Sequence, residues 1–320
     1  MKNEKELREL QKWLFENANH ALDLALRERK EHEKDVLSIH LSKLGISDID
    51  GGIDICFNAD LTYLGVFKNV AGVCYPPQNK EKHNYSVVQI NKMLNLEELS
   101  IRNMGIIRHE LIHAIQFLYE KMDEPETPLS PSGQSNVNIG IWRKEVQEIF
   151  LGNVQYLPKD FFSSILYYYD RFERFSYISD FESLIHKIVS GNQNLTNNEV
   201  LDILREDSLY HMYNRCFEGY KEACNNEKIK PTTIDGFKKN VTAYMMYVEA
   251  DAPNISYTRY LFPEFLPKKY KGHPELLISM TQEEYNTIQQ ETLKYLELNF
   301  KVISEMIGEL IDKYLKASVK

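Results

Sequence analysis

The tightest constraint on this chain lies in five consecutive residues, His109-Glu110-Leu111-Ile112-His113. Two imidazoles separated by three residues act together only if the segment is helical, because an α-helix places residues four apart on one face, one turn from each other. So placed, both rings can converge on a single metal ion. Glu110 is rotated from His109 by about 100° around the helix axis. That keeps its carboxylate off the metal and within reach of a water held there. Zinc lowers the pKa of such a water, and a neighbouring carboxylate takes its proton. The flanking residues fit a helix. Ile107, Leu111, Ala114, Ile115 and Leu118 form one apolar stripe suited to a core, whereas His109, His113 and Gln116 fall on another face, available to a cleft. The motif therefore predicts His109 and His113 as metal ligands, Zn2+ as the cofactor and Glu110 as the general base for a metal-activated water.

The texture of the chain changes on either side of this helix. From about Glu4 to Leu44 apolar residues recur at helical spacing between Glu, Lys and Arg, and Gly45 and Gly51-Gly52 punctuate the end. Ile53, Ile55 and Phe57 then alternate with Asp54, Cys56 and Asn58, and residues 61–67, 69–75 and 85–91 are short runs rich in β-branched and aromatic residues. Residues 49–92 thus predict a small sheet of three or four strands. Helical period returns from Leu94 to Met122. Pro125, Pro128 and Pro131 follow in a long polar stretch to Gly140, and helix resumes from Trp142 to Asn153. Beyond Pro158 the pattern is almost wholly helical, ending in a helix from Gln282 to Leu315. The aromatic run 161–177 reads as core and cleft wall, Lys268-Lys269-Tyr270-Lys271 as a solvated basic cluster, and Cys56 and Cys74 as buried strand thiols. This gives a division into an N-terminal helical segment (1–48), a catalytic core (49–156) and a mainly helical part completing the cleft (157–320).

A catalytic zinc site needs a third protein ligand. The candidates are Glu145 and Glu148 on the next predicted helix, Glu249 in Tyr247-Val248-Glu249-Ala250-Asp251, and the distant His186, His211 and His273. The longer pattern H-E-x-x-H-x-x-G-x-x-H is absent, because Gln116 and Tyr119 stand where its Gly and third His would be. Cys216 and Cys224 form no C-x-x-C pair. A carboxylate is the favoured third ligand.

Composition excludes several other classes. A net charge of -9 and a sequence pI near 5.6 argue against nucleic-acid binding driven by bulk charge. No run approaches the length of a membrane-spanning helix, and the charged N-terminus lacks the apolar core of a secretory signal. Four cysteines in 320 residues make no disulfide framework. The expectation is a cytoplasmic protein with no nucleic-acid or membrane partner.

Arg108-His109-Glu110-Leu111-Ile112-His113-Ala114, behind a strand-rich segment and ahead of a Glu-bearing helix, resembles the zincin metallopeptidases. It is most similar to their gluzincin branch, in which the third ligand is a Glu on a later helix. The resemblance spans about residues 53–155. It implies an α+β fold, with a small, mostly antiparallel sheet packed on the metal helix and a large helical remainder. It also implies Glu145 as the third ligand, opening an E-x-x-A-like pattern in which Glu148 replaces the usual Ala; Glu148 and Glu249 are the alternatives. It implies a peptide or protein substrate, paired with an edge strand from residues 69–75 or 85–91. An oxyanion donor would come from His211, Tyr244, Tyr247 or Arg259, and Asp251 would orient a ligand histidine. The rival expectation is a non-catalytic helical interaction or regulatory module with a structural zinc site. The fourth metal position separates the two: a fourth protein ligand closes the site, and a water opens it to chemistry.

Overall fold

The computed structural model describes residues 4–61, 71–75, 77, 84–94, 100–123, 169, 173–192, 194–225, 234–235, 238, 266–270, 276 and 279–318. Helix α1 runs from Glu4 to His32. Glu4 and Glu6 in its first turn and Arg29, Lys30 and His32 in its last complement the helix dipole, and Leu7, Leu14, Ala18, Leu22 and Ala25 form its buried face. The helix expected to reach Leu44 stops twelve residues earlier, at His32. Glu33 adopts a left-handed conformation, φ 50°, that turns the chain out of the helix. Val36–His40 then forms strand β1, with Leu37 and Ile39 facing in and Val36 and Ser38 facing out. That alternation is the strand signature hidden at the end of a charged helical stretch.

Strand β2 spans Gly52–Ala59, β3 Gly72–Tyr75 and β4 Tyr85–Asn91. The run 85–91 is therefore a strand from end to end, and the strand expected over 69–75 is described from Gly72. Residues 62–67 lie outside the described part. The strand order is β1-β2-β4-β3. β1 pairs antiparallel with β2 (Leu37 opposite Ile55), β2 pairs parallel with β4 (Ile55 opposite Val88), and β3 pairs antiparallel with β4 (Cys74 opposite Val88). Two of the three pairings among the described strands are antiparallel, and the parallel β2–β4 pairing makes the sheet mixed. Among the described strands β3 lies at one edge and β4 in the interior. Ile39, Ile53, Ile55, Val88 and Ile90 are fully buried and supply the apolar face of the sheet.

Helix α2 spans Ile101–Asp123. Ser100 caps it: the Asn103 N–H donates to Ser100 Oγ at 3.2 Å, satisfying one of the first-turn donors. Ile107, Leu111, Ala114, Ile115 and Leu118 are all buried, as their spacing predicts. Ser86 Oγ of β4 donates to the Ala114 carbonyl oxygen at 3.2 Å. Gln116 corrects the expectation of a cleft-facing side chain, because it is fully buried.

The remaining elements are helical. Helix α3 is the short turn Glu173–Ser176, α4 spans Ile178–Gly191, α5 Asn197–Arg205, α6 Ser208–Cys224 and α7 Gln282–Ser318. Thr196 and Glu199 form a reciprocal capping box at the start of α5, with the Thr196 N–H on Glu199 Oε2 at 2.8 Å and the Glu199 N–H on Thr196 Oγ1 at 3.3 Å. The Thr196 N–H and the Thr196 hydroxyl, both donating to Glu199 Oε2, hold the Glu199 carboxyl below the usual range. Thr281 and Glu284 repeat the device before α7. The described residues therefore form an α+β protein with a small four-stranded mixed sheet and a mostly helical remainder. No helix among them is long and apolar enough to cross a membrane.

The chain divides into two compact units, one of residues 2–125, 175–205 and 303–320, the other of residues 126–174 and 206–302. The first contains the sheet, α1, α2, α4 and α5, and an ionic cluster around the buried Arg108–Glu182 pair holds its helices together. Arg108 of α2 pairs with Glu182 of α4 and lies over the Phe15 ring of α1, 5.3 Å from its centroid. From α7, Lys313 Nζ and Tyr314 OH both donate to Glu182 Oε1 at 2.9 Å. Burial lowers the pKa of the Arg108 guanidinium below its ordinary value. The second unit has a core of tyrosines. Tyr169 OH donates to the Tyr213 carbonyl oxygen at 2.8 Å, Tyr295 OH donates to the Tyr169 carbonyl oxygen, and Arg174 donates to Tyr295 OH. Tyr169 from the aromatic run is thus a core residue. In the same unit burial pushes the Cys216 thiol up to about 12, so it is almost entirely protonated at neutral pH. Cys74, in the first unit, is buried as expected, whereas Cys56 is only half-buried.

Candidate metal centre

The two motif histidines belong to a stripe on α2 that repeats every fourth residue: Ile101, Gly105, His109 and His113. Segment 176–183 runs antiparallel to that stripe and meets it step by step. Ser176 Oγ lies 3.3 Å from His113 Nε2. Asp180 Oδ2 lies 3.0 Å from His109 Nδ1. Ser183 Oγ donates to the Ile101 carbonyl oxygen at 3.2 Å. Small residues permit the close approach: a Cβ on Gly105 would fall 2.2 Å from Ser183 Oγ and 3.3 Å from the Ser179 carbonyl oxygen. The face of α2 expected to border an open cleft is thus largely covered. His113 is 8% exposed and the His109 side chain 14%. The two imidazoles meet edge to face with ring centroids 4.9 Å apart, and Tyr177 stands edge-on to His109 at 5.1 Å.

Glu173 opens the turn Glu173–Ser176. The division between the two units falls inside this turn, and from Phe175 onward the chain belongs to the unit that holds the histidines. His109, His113 and Glu173 each offer one ligand atom, and the three atoms lie within 4.8 Å of one another. A His-His-Glu group of that size can hold a metal ion. The donor set suits a borderline ion: two imidazole nitrogens and one carboxylate oxygen. Asp180 supplies the outer partner that such a site needs, since a carboxylate on Nδ1 fixes the tautomer and ring plane of His109 and leaves Nε2 as the ligating nitrogen.

Glu110, half-buried, projects beside strand β3. A Cβ on Gly72 would fall 2.8 Å from Glu110 Cγ and 3.1 Å from Glu110 Oε1. Two residues along the same strand, burial and, secondarily, the charge of Glu110 push the Cys74 thiol well above its ordinary pKa.

Other residues singled out in the sequence fare differently. Glu145, Glu148, Glu249, Asp251, Tyr244, Tyr247, Arg259 and His273 lie outside the described residues. His186 does not join the metal group; its Nδ1 is 3.1 Å from Ser190 Oγ and its ring stands edge-on to Tyr314. His211 lies on α6. Sequence reasoning missed Glu173 and Asp180. No local signal singles them out among 47 acidic residues; they reach α2 only through the fold. Neither a family model, nor a curated protein, nor a solved structure matches this chain.

Proposed function

We propose that the chain is a zinc-dependent metallopeptidase. The observation that carries this is the convergence of His109, His113 and Glu173, with Asp180 behind His109 and Glu110 one residue away on the same helix. A His2Glu set is the ligand type of catalytic zinc sites, in which a fourth position serves water or substrate. Glu173 takes the role that the sequence assigned to Glu145, Glu148 or Glu249. When bound, zinc supplies Lewis acidity, which brings a water's pKa toward neutrality and polarises the scissile carbonyl.

The chain's own groups do the rest. The Glu110 carboxylate accepts the proton of the attacking water and returns it to the departing amine nitrogen. Asp180 holds His109 in the tautomer that presents Nε2. An extended peptide adds to the edge of β3 by main-chain hydrogen bonds, which makes peptide the natural substrate class. That strand runs past Glu110 at Gly72, so a peptide bond paired to β3 comes close to the base.

The test is hydrolysis of labelled casein and of a mixed-sequence peptide library by protein purified without chelators. Cleavage is expected, with loss on treatment with 1,10-phenanthroline and recovery on adding one equivalent of zinc. A zinc-loaded protein that cleaves no member of the library contradicts the peptidase assignment and favours the structural-zinc alternative. Asp180→Ala is expected to weaken zinc binding by about 10–100-fold in competition with a chromophoric chelator. Unchanged affinity would remove Asp180 from the site.

A further inference from the structure

Gly72 is a glycine for want of space rather than for backbone freedom. Among the described glycines only Gly45 has a positive φ, so Gly72 sits in an ordinary strand conformation that any residue can adopt. It pairs across β3–β4 with Ile90, and its position requires nothing special of the chain. What a side chain would meet there is Glu110. A Cβ would stand 2.8 Å from Cγ, 3.1 Å from Oε1 and 3.2 Å from Cδ of that one residue. Carbon atoms in comfortable contact are about 3.5–4.0 Å apart. Glu110 would therefore have to move by about 1 Å. Glu110 is half-buried on one flexible side chain, whereas β3 is held in the ladder, so the carboxylate yields and the strand stays.

We infer that Gly72 is a positioning residue for the Glu110 carboxylate: its missing side chain leaves the space from which that carboxylate serves the reaction. The inference rests on the metallopeptidase reading and deepens it. It gives the edge strand a second role, since the strand that pairs with the peptide also sets where the base stands. Cys74, two residues on and on the same face of β3, feels the charge of Glu110, which agrees with a carboxylate lying along this strand. A displacement of about 1 Å at a reacting group can cost about 10²-fold in rate.

The experiment combines kinetics with a stability cycle. In zinc-loaded Gly72→Ala, kcat on the best casein-derived peptide is expected to fall about a hundredfold, with KM within about threefold of wild type and one zinc per chain retained. Urea denaturation of Gly72→Ala, Glu110→Ala and the double variant supplies a readout apart from activity. Gly72→Ala should lower the midpoint in the wild-type background. In the Glu110→Ala background, where the obstructing Cγ is gone, it should leave the midpoint unchanged or raise it. Wild-type kcat in Gly72→Ala overturns the inference, as does an equal loss of midpoint in both backgrounds. Failure of both Gly72→Ala and the double variant to fold overturns it as well, because the strand and not Glu110 would then be absorbing the clash. If the wild type cleaves nothing, the peptidase reading falls, while the stability cycle still decides whether Gly72 acts through Glu110.

Discussion

Glu110→Gln is expected to lower peptide hydrolysis by about 10²–10⁴-fold while zinc stays bound and KM changes little. Glutamine fills the same space beside Gly72, so the helix, the strand and the ligand set are undisturbed. Its amide cannot accept a proton from water, and that step is the one assigned to this side chain. Glu110 is not among the three groups proposed to hold the metal, so its replacement should leave the zinc content at one per chain. Zinc lost in this variant would mean that Glu110 is a ligand. Hydrolysis at the wild-type rate would mean that the proton goes elsewhere.

Glu182→Leu is expected to cost about 3–5 kcal/mol of folding stability. Glu182 is 4% exposed and Arg108 7% exposed. Leucine is close in volume, so the loss reports charge more than cavity. Without the carboxylate, the Arg108 guanidinium is left buried in a site with Lys313 and Tyr314 and no anion among the groups that now meet at Glu182. Arginine does not shed its proton to escape this. The unfolding midpoint in urea should fall with an unchanged slope. The pair Arg108→Met with Glu182→Leu should recover most of the loss, since a buried ion pair replaced whole by apolar residues is often neutral. A loss below about 1 kcal/mol for Glu182→Leu would show that water reaches the cluster. The position of the pair gives the measurement a functional side. Arg108 precedes His109 on α2, and Glu182 follows Asp180 by two residues on α4. The ion pair therefore fixes the same helix pairing that brings Asp180 to His109.

How much of this was legible in the sequence depended on whether the signal was local. Helix α2 was legible because a four-residue repeat and an apolar stripe are properties of one helix. Strand β4 and helix α7 were legible for the same reason, each carrying its own period. Strand β1 was not: Val36–His40 is five residues long, too short for its alternation to outweigh the charged helical pattern before it. Gln116 shows the limit of a helical wheel, which identifies faces but not what covers them. Glu173 and Asp180 show the same limit at the site. They reach the histidines only because segment 173–183 comes back along α2, and among 47 acidic residues nothing local sets those two apart. The space at Gly72 was equally invisible, being a relation between a strand and a helix that are joined only through the fold.

Elemental analysis of untagged protein purified at neutral pH without chelators tests for a zinc ion on the proposed ligands His109, His113 and Glu173. Close to one zinc per chain is expected in the wild type and well below one in His109→Ala, His113→Ala and Glu173→Ala, each compared as folded protein. Wild-type protein without stoichiometric zinc, or variants that all retain it, would rule out a zinc site built on these three residues.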